Sequence, residues 1–406
     1  MRYCFYSGYK DLIGGYTTLT LTIIRELHKQ GKEVVLINFT NGLFAHELHK
    51  VGATIRIIGM DFCSWKEIGD FIKPDDIFIV TSFEFDLRYL FKANPRVLYY
   101  DINDYIDRIS EYKFGLRFGF LGKRLVTRLL AANSLVFMDD TGKDNVKRHF
   151  GIDITAPAFL PIPVVMPDSK QNVGRNRDKG EVLRLTYIGR SVSWKMMPLK
   201  RILRDCASCS VPRKIQFSIV VDSISEFERF IRIGDYQHKN LEISVEENLL
   251  PSAVNEFLLR RSDLHFAMGT AALDAGKLGI PTILVDYKNS EFPADYGYKW
   301  LYESREFSLG RNLDKVKADK GFSMDSLLRI FWEGSGDPGY HAAACYDYVL
   351  KSHSSGKIVK ELMRICGNAS FRLKTSKAYV PLYSNFHFMV KKIFERVRVK
   401  KGPGQS

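Results

Sequence analysis

Residues 262–287 read SDLHFAMGTAALDAGKLGIPTILVDY, and their pattern predicts the fold of the chain. The stretch starts with a short apolar run at 264–267, continues with helical spacing, and ends with a second apolar run at 282–286. Each apolar run is typical of a buried strand, and Gly279 and Pro281 end the helix before the second one. Strand, helix and strand in this order indicate a parallel crossover unit.

The start of this helix has the features of an anion site. Gly269 interrupts the strand, and Thr270 is predicted to be the N-cap. Free N–H groups and the positive end of the helix dipole suit a phosphate. Asp274 lies one turn further on, where its carboxylate could accept hydrogen bonds from ribose hydroxyls. The alternative is an ordinary crossover whose acid simply suits the helix dipole.

Length and composition narrow the class of protein. The 406 residues are enough for two domains, and 45% apolar with 26% charged residues is typical of a soluble globular protein. With 60 Lys and Arg against 46 Asp and Glu, the net charge is +14, which favours anionic lipid, nucleic acid or phosphorylated substrates as partners. No apolar run is long enough to span a bilayer, and the first residues lack the apolar centre of a signal peptide. We therefore expect a cytoplasmic protein.

The cysteines argue against a metal site. The chain has six, and only Cys206 and Cys209 form a CxxC pair. Zinc sites usually combine such a pair with a second pair or with histidines, and neither follows here. We therefore expect no metal and no cofactor, and scattered thiols fit a reducing compartment.

The first part of the chain alternates predicted strands and helices, which indicates a doubly wound sheet. Gly14 and Gly15 lie between the first strand and the first helix, where two glycines let a phosphate or an acceptor approach the backbone. The pair is not the GxGxxG dinucleotide fingerprint.

Acidic residues follow two strands of this predicted sheet. Glu84 lies in the first of these loops, and Asp101 and Asp104 lie in the second. Because ligands of open α/β sheets bind at the carboxyl ends of the strands, these three are the candidate catalytic acids or bases. The alternative is that they are turn and cap residues.

A polar segment, DSKQNVGRNRDKG at 168–180, predicts a domain boundary. It separates a first domain at 1–167 from a second α/β domain at 181–378. Residues 379–406 form a basic tail with an apolar side if helical, which suits either an anionic membrane or packing across the first domain. Residues 108–130 mix aromatic and basic side chains in the same way, and here the alternative is a core helix with a basic outer face.

Arg190 and Lys195 follow the first strand of the second domain, LRLTYIG. A guanidinium and an ammonium close to the Gly269–Thr270 helix start would together hold a diphosphate. The alternative is a pair of solvated loop residues.

Gly189-Arg190…Lys195 is similar to the GR-x4-K loop of family 4 sugar transferases, and 269–281 resembles their GTSALEA…LGIP donor segment. Gly14-Gly15 resembles their N-terminal glycine loop. The chain thus resembles GT-B glycosyltransferases, which implies two Rossmann-like α/β domains facing across a cleft.

The resemblance also implies residue roles. Arg190 and Lys195 would neutralise the donor diphosphate, and the Gly269 and Thr270 amides would bind its oxygens. Asp274 would replace the ribose-binding Glu of the family. No metal motif is needed, because fixed cations can stabilise the leaving group.

The sequence departs from the family at two positions. Phe266 stands where many members have the first Glu of EX7E, and Asn103 stands where a His is common. A retaining mechanism needs no strong base, whereas an inverting one does, and the stereochemistry stays open at this point.

Three functions are compatible with these sequence features. The first is a hexosyltransferase type enzyme that uses a nucleotide diphosphate sugar and a lipid-linked glycan acceptor in O-antigen or capsule synthesis, peripheral on the inner face of the cell membrane. The second is a nucleotide-sugar epimerase or hydrolase of the same fold, which would need more acids and histidines. The third is a basic binding module, but no nucleic-acid motif is recognised. We therefore expect no nucleic acid partner.

Overall fold

The structure is a computed structural model. It describes residues 1–6, 15–50, 55–63, 65–81, 93–102, 106, 119–167, 182–209, 214–238, 240–250, 253–318, 320–332 and 337–372. The chain divides into two compact units. Unit 1 comprises Met1–Pro161 with the described residues from Ile358 onward, and unit 2 comprises Ile162–Lys357.

Unit 1 is a doubly wound parallel sheet. Its strands are β1 (Tyr3–Tyr6), β2 (Val34–Asn38), β3 (Arg56–Gly59), β4 (Ile77–Val80), β5 (Arg96–Asp101) and β6 (Leu135–Phe137). Its helices are α1 (Gly15–Lys29), α2 (Leu43–Lys50), α3 (Trp65–Phe71), α4 (Gly119–Ala131) and α5 (Asp140–Phe150). The strand order is β3-β2-β1-β4-β5-β6, so the chain adds strands outward on one side of β1 and then on the other, starting with β4. Each of these pairings is parallel.

Unit 2 repeats this arrangement. Its strands are β7 (Val182–Ile188), β8 (Lys214–Val221), β9 (Leu241–Glu247), β10 (Leu264–Ala267), β11 (Thr282–Leu284) and β12 (Lys299–Trp300). Its helices are α6 (Ser193–Ser208), α7 (Ile224–Glu228), α8 (Val254–Arg261), α9 (Thr270–Gly276), α10 (Met324–Trp332) and α11 (Pro338–His353), with 3-10 turns at Ile233–Asp235 and Leu301–Glu303. The order β12-β11-β10-β7-β8-β9 reverses between β7 and β10, and only β12 pairs antiparallel among the strands described.

The apolar residues of both sheets are buried by helices. β2 and β4 are buried along their whole length, as parallel strands covered on both faces must be. The core of unit 2 is rich in aromatic rings, and Phe266 packs near Phe217 and Tyr298 with ring centroids 6.2 and 5.9 Å away. The residue that departs from the EX7E pattern is therefore part of this core.

Residues 341–366 have the spacing of one long helix, but the structure breaks this segment in two. Ser354 has extended backbone between α11 and α12 (Ser355–Asn368), because this segment pairs with the chain near Val164. The Val164 N–H donates to the His353 carbonyl at 2.7 Å, and the Ser355 N–H donates to the Val164 carbonyl at 2.8 Å. The break is therefore held by contacts distant in sequence.

The same contacts explain where the units divide. The sequence placed the boundary in 168–180, which lies outside the described residues, as does the tail 379–406. Residues 162–167 nevertheless belong to unit 2, where Val164 binds the chain next to Ser354. The chain returns to unit 1 from Ile358, and there the Val97 N–H donates to the Phe371 carbonyl at 2.9 Å.

Candidate functional site

Two of the predicted donor loops follow neighbouring strands of unit 2. β7 and β10 are parallel, with Tyr187 opposite Phe266, so both chains leave the sheet at the same edge. Arg190 follows the end of β7, and Gly269 follows the end of β10. The strand order reverses between these two strands, and in open α/β sheets ligands bind at such a reversal. The structure thus brings the two loops together at the position that the sheet favours for a ligand.

The loop that carries Arg190 is held in place by hydrogen bonds to the residues that surround it. The buried Tyr187 hydroxyl donates to the Lys195 carbonyl at 2.9 Å. Its ring lies so close to Gly189 that a Cβ there would stand 2.8 Å from a ring carbon. The Ser191 N–H donates to Asp222 at 2.6 Å, and its hydroxyl donates to the Ser223 carbonyl at 2.7 Å. These bonds hold the backbone from Gly189 to the start of α6 in one conformation.

Arg190 and Lys195 both lie over the indole ring of Trp194. The Arg190 Cζ is 5.9 Å from the ring centroid, and the Lys195 Nζ is 5.3 Å from it. Tyr287, from the loop after β11, contacts the same indole in a T-shaped arrangement with ring centroids 5.4 Å apart. A cation near an aromatic face is stabilised by the negative charge of the π system. Trp194 therefore keeps two like charges together at one place.

The ammonium of Lys195 is easier to deprotonate than an ordinary lysine. Burial lowers its pKa to about 8, the Arg190 charge acts in the same direction, and Asp222 partly opposes both. A cation that is poorly solvated and near another cation gains more than an exposed one when an anion arrives. The arrangement suits a ligand with several negative charges.

The helix start at Gly269 differs from the prediction. Gly269, not Thr270, is the N-cap of α9, with φ 63° and ψ −139°. A side chain rarely adopts this backbone conformation, so the position requires glycine. The Gly269 N–H already donates to the Leu309 carbonyl at 2.8 Å. This amide is therefore engaged, while Thr270 is the first residue of the helix, where an N–H has no partner within the helix.

Asp274 lies on α9 one turn after Thr270. Its Oδ1 accepts a hydrogen bond from the Lys277 Nζ at 2.6 Å, and both side chains are partly buried. A ribose at this carboxylate would share it with Lys277. The predicted ribose contact remains a prediction.

A buried histidine beneath the site was not singled out from the sequence. His265 Nδ1 lies 2.8 Å from the Thr186 Oγ1, which in turn lies 2.6 Å from the Ser262 Oγ. Burial lowers the pKa of His265 to about 3, so the ring is neutral at physiological pH. The three side chains tie β7 to β10 under the two loops. The signal in the sequence is a polar residue inside each of two largely apolar strands, Thr186 in β7 and His265 in β10.

The candidates of unit 1 are only partly described. Gly14, Glu84 and Asp104 lie outside the described residues, and Gly15 is the first residue of α1. Asp101 is the last residue of β5 and is 4% exposed.

The carboxylate of Asp101 lies against the first turn of α5. A Cβ on Gly142 would stand 2.5 Å from its Oδ2. The carboxylate thus lies close to the N-terminus of a helix, where negative charge is favoured. Its catalytic role stays a prediction.

The basic segment 108–130 is described from Gly119 onward, as α4. Leu125, Val126 and Leu129 are buried in the core of unit 1, while Lys123 and Arg124 are exposed. The described half is therefore a core helix with a basic outer face.

Two further properties concern the described part of the chain only. None of its helices is long and apolar enough to cross a bilayer. It also contains no group of three His, Cys, Asp or Glu side chains placed to hold a metal ion.

Comparisons with known proteins support the architecture. No family profile and no curated protein sequence matches the chain. A glycosyltransferase from Rickettsia africae is similar in structure, with 13% identity, a TM-score of 0.60, and coverage of 91% of this chain and 98% of its own. The lipopolysaccharide outer core galactosyltransferase WaaB has 12% identity, a TM-score of 0.55, and coverage of 90% and 99%.

HepE from Anabaena, solved with UDP and glucose, has 10% identity, a TM-score of 0.53, and coverage of 90% and 99%. These neighbours span nearly the whole of both units. Together with the two doubly wound sheets, they confirm the predicted fold class: the chain has the two-unit α/β fold of the GT-B glycosyltransferases.

Proposed function

We propose that this chain is a metal-independent glycosyltransferase of hexosyltransferase type that takes a sugar from a nucleotide diphosphate donor. The observation that carries the proposal is the pair of cations, Arg190 and Lys195, over Trp194 at the strand reversal of unit 2. A diphosphate leaving group gains negative charge as the sugar departs, and fixed cations stabilise that charge. HepE, which has the same fold, was solved with UDP and glucose.

The acceptor in this proposal is a growing, lipid-linked glycan of a surface polysaccharide, of O-antigen or capsule type. The net charge of +14 and the exposed cations of α4 favour a peripheral position on the inner face of the cell membrane. In unit 1, Asp101, Asp104 or Glu84 would act as the base if the reaction inverts the anomeric centre. Gly14 and Gly15 would give the acceptor access to the backbone.

The donor test measures release of nucleoside diphosphate. Purified protein is incubated with UDP-glucose, UDP-galactose, UDP-N-acetylglucosamine and GDP-mannose, with and without a detergent-solubilised glycolipid extract, in the presence of EDTA. Acceptor-dependent release supports a transferase. Equal release without acceptor indicates a hydrolase of the same fold, and no release from any donor refutes the proposal.

A matched pair of variants shows whether the proposed site is responsible. Arg190→Ala removes a charge-assisted contact worth about 1.5–3 kcal/mol, so turnover should fall by about ten- to a hundredfold. Arg204→Ala removes an exposed cation from α6 and should leave turnover unchanged. Equal rates in the two variants would remove Arg190 from the mechanism.

The membrane position has its own test. Deletion of 379–406 should reduce pelleting with vesicles that contain anionic lipid, because the segment carries a basic run. Neutral vesicles are the control. Unchanged pelleting would exclude the tail as a membrane contact.

A further inference from the structure

Phe62 is the most exposed large apolar side chain in the described part of the chain, at 80%. It lies in the turn between β3 and α3 of unit 1. Burial of a phenylalanine stabilises a protein by about 1.5–3 kcal/mol, and Phe62 contributes little of this free energy because its ring is exposed. Single exposed apolar residues are common, so the exposure alone assigns no function. The hydrogen bonds of the turn and its position at the edge of the sheet indicate a binding role for the ring.

The turn that presents Phe62 is well fixed. Its neighbour Asp61 binds Thr40 twice, since the Thr40 hydroxyl donates to one carboxylate oxygen at 2.8 Å and the Thr40 N–H donates to the other at 3.2 Å. The Cys63 N–H donates to the Gly59 carbonyl at 2.9 Å. A Cβ on Gly59 would stand 2.6 Å from the Thr40 methyl, so the two turns touch. A ring presented by such a backbone loses little freedom when it binds a partner.

The position of the turn favours a ligand contact. β3 is parallel to β2, and Asn38 is opposite Gly59, so Phe62 follows the carboxyl end of the sheet. Ligands of open α/β sheets bind at this edge, around the strand reversal, which in unit 1 lies between β1 and β4. β3 is two strands from β1, which is about 10 Å at the usual spacing. The ring is within reach of a ligand with several linked rings.

The charge beside Phe62 favours a glycan over an anionic lipid. Asp61, the preceding residue, is acidic and exposed, although the segment as a whole carries both signs, with Arg56, Lys66 and Lys73 against Glu67 and Asp70. The acid next to the ring would be repelled by an anionic leaflet. A sugar has a face of C–H groups with partial positive charge, and the face of an aromatic ring is negative.

We propose that Phe62 stacks on a sugar ring of the acceptor glycan and thereby contributes to acceptor selection. The inference rests on the proposed glycosyl transfer. Phe62 belongs to unit 1, whereas the donor cations Arg190 and Lys195 belong to unit 2. Loss of the ring should therefore affect the acceptor and not the donor.

The test compares acceptor kinetics in four variants. The probes are the octyl glycosides of glucose, galactose and N-acetylglucosamine, with the glycolipid extract as a further acceptor and the donor that wild type uses. Phe62→Ala should raise the acceptor KM by about three- to tenfold with little change in kcat. Phe62→Leu should behave like Phe62→Ala, because it keeps apolar bulk without a ring, and Phe62→Tyr should be close to wild type. Tyr340→Ala removes another exposed ring, in unit 2, and should change nothing.

Measurements of donor binding and of lipid binding separate failure of the stacking proposal from failure of the proposed function. UDP-induced thermal stabilisation should be equal in all variants. An unchanged acceptor KM in Phe62→Ala, a wild-type KM in Phe62→Leu, or reduced vesicle pelleting in Phe62→Ala would each overturn stacking on a glycan while the proposed transferase stands. Donor turnover with no acceptor accepted would overturn a glycan contact. No nucleoside diphosphate release by wild type would overturn the proposed function itself.

Discussion

The lowered pKa of Lys195 predicts that donor affinity depends on pH in the mildly alkaline range. Burial is the main cause of the fall from 10.5 to about 8, which corresponds to about 3 kcal/mol against the charged form. A bound diphosphate favours the ammonium and raises the pKa of Lys195 again. The contribution of the charge to binding is therefore complete below about pH 8. Between the free and bound pKa values, affinity falls by up to about tenfold per pH unit.

The assay is calorimetric titration with UDP from about pH 7 to about pH 9.5, a range in which a terminal phosphate with a pKa of about 6 is already ionised. Lys195→Arg keeps its charge throughout, since guanidinium titrates above about pH 12, so its affinity should be nearly flat. Lys195→Ala should be weaker at neutral pH and equally flat. Arg204→Ala should follow wild type. The reasoning is refuted if wild type and Lys195→Arg lose affinity in parallel.

Three other perturbations have defined outcomes. Gly269→Ala places a side chain at φ 63° and ψ −139° and should destabilise the fold by about 1–3 kcal/mol in urea, while Gly234→Ala, at a site with open space, should not; equal curves would contradict the backbone argument. Trp194→Leu removes the face under the two cations and should weaken UDP binding by about fivefold, measured well below the Tm of the variant because the indole also packs against the core of unit 2; undiminished affinity would mean that the indole is only packing. Asp76→Ala leaves the buried Arg2 without the carboxylate that it binds at 2.7 Å and should cost about 3–5 kcal/mol; a loss below 1 kcal/mol by chemical denaturation would show that water reaches the guanidinium.

The sheets were predictable because their signal is local. The apolar runs at 264–267 and 282–286 coincide with β10 and β11, and the second run extends two residues beyond its strand. β12 has two residues and no such pattern, so the sequence does not predict it. The sequence also does not reveal the break at Ser354. Ser354-Ser355-Gly356 is a possible helix start, but the apolar residues on both sides continue with helical spacing, so the segment has the pattern of one helix.

The candidate site residues were predictable only where they belong to a sequence motif. The resemblance predicts that Arg190, Lys195 and Gly269 bind the donor, and the structure brings their loops to one sheet edge. It could not show that the Gly269 amide is bound by Leu309, since that partner lies forty residues further along the chain. Nor could spacing show that Trp194 lies under both cations. These contacts depend on loops that only the folded sheet brings together.

The pairing at Val164 also has a practical consequence. Both ends of unit 2 run side by side there, so Ile162–Lys357 is one uninterrupted piece of chain with adjacent termini. Such a segment is suited to excision and separate expression, or to circular permutation through that junction. An isolated piece that still binds UDP would make the donor half available for ligand screening without any acceptor.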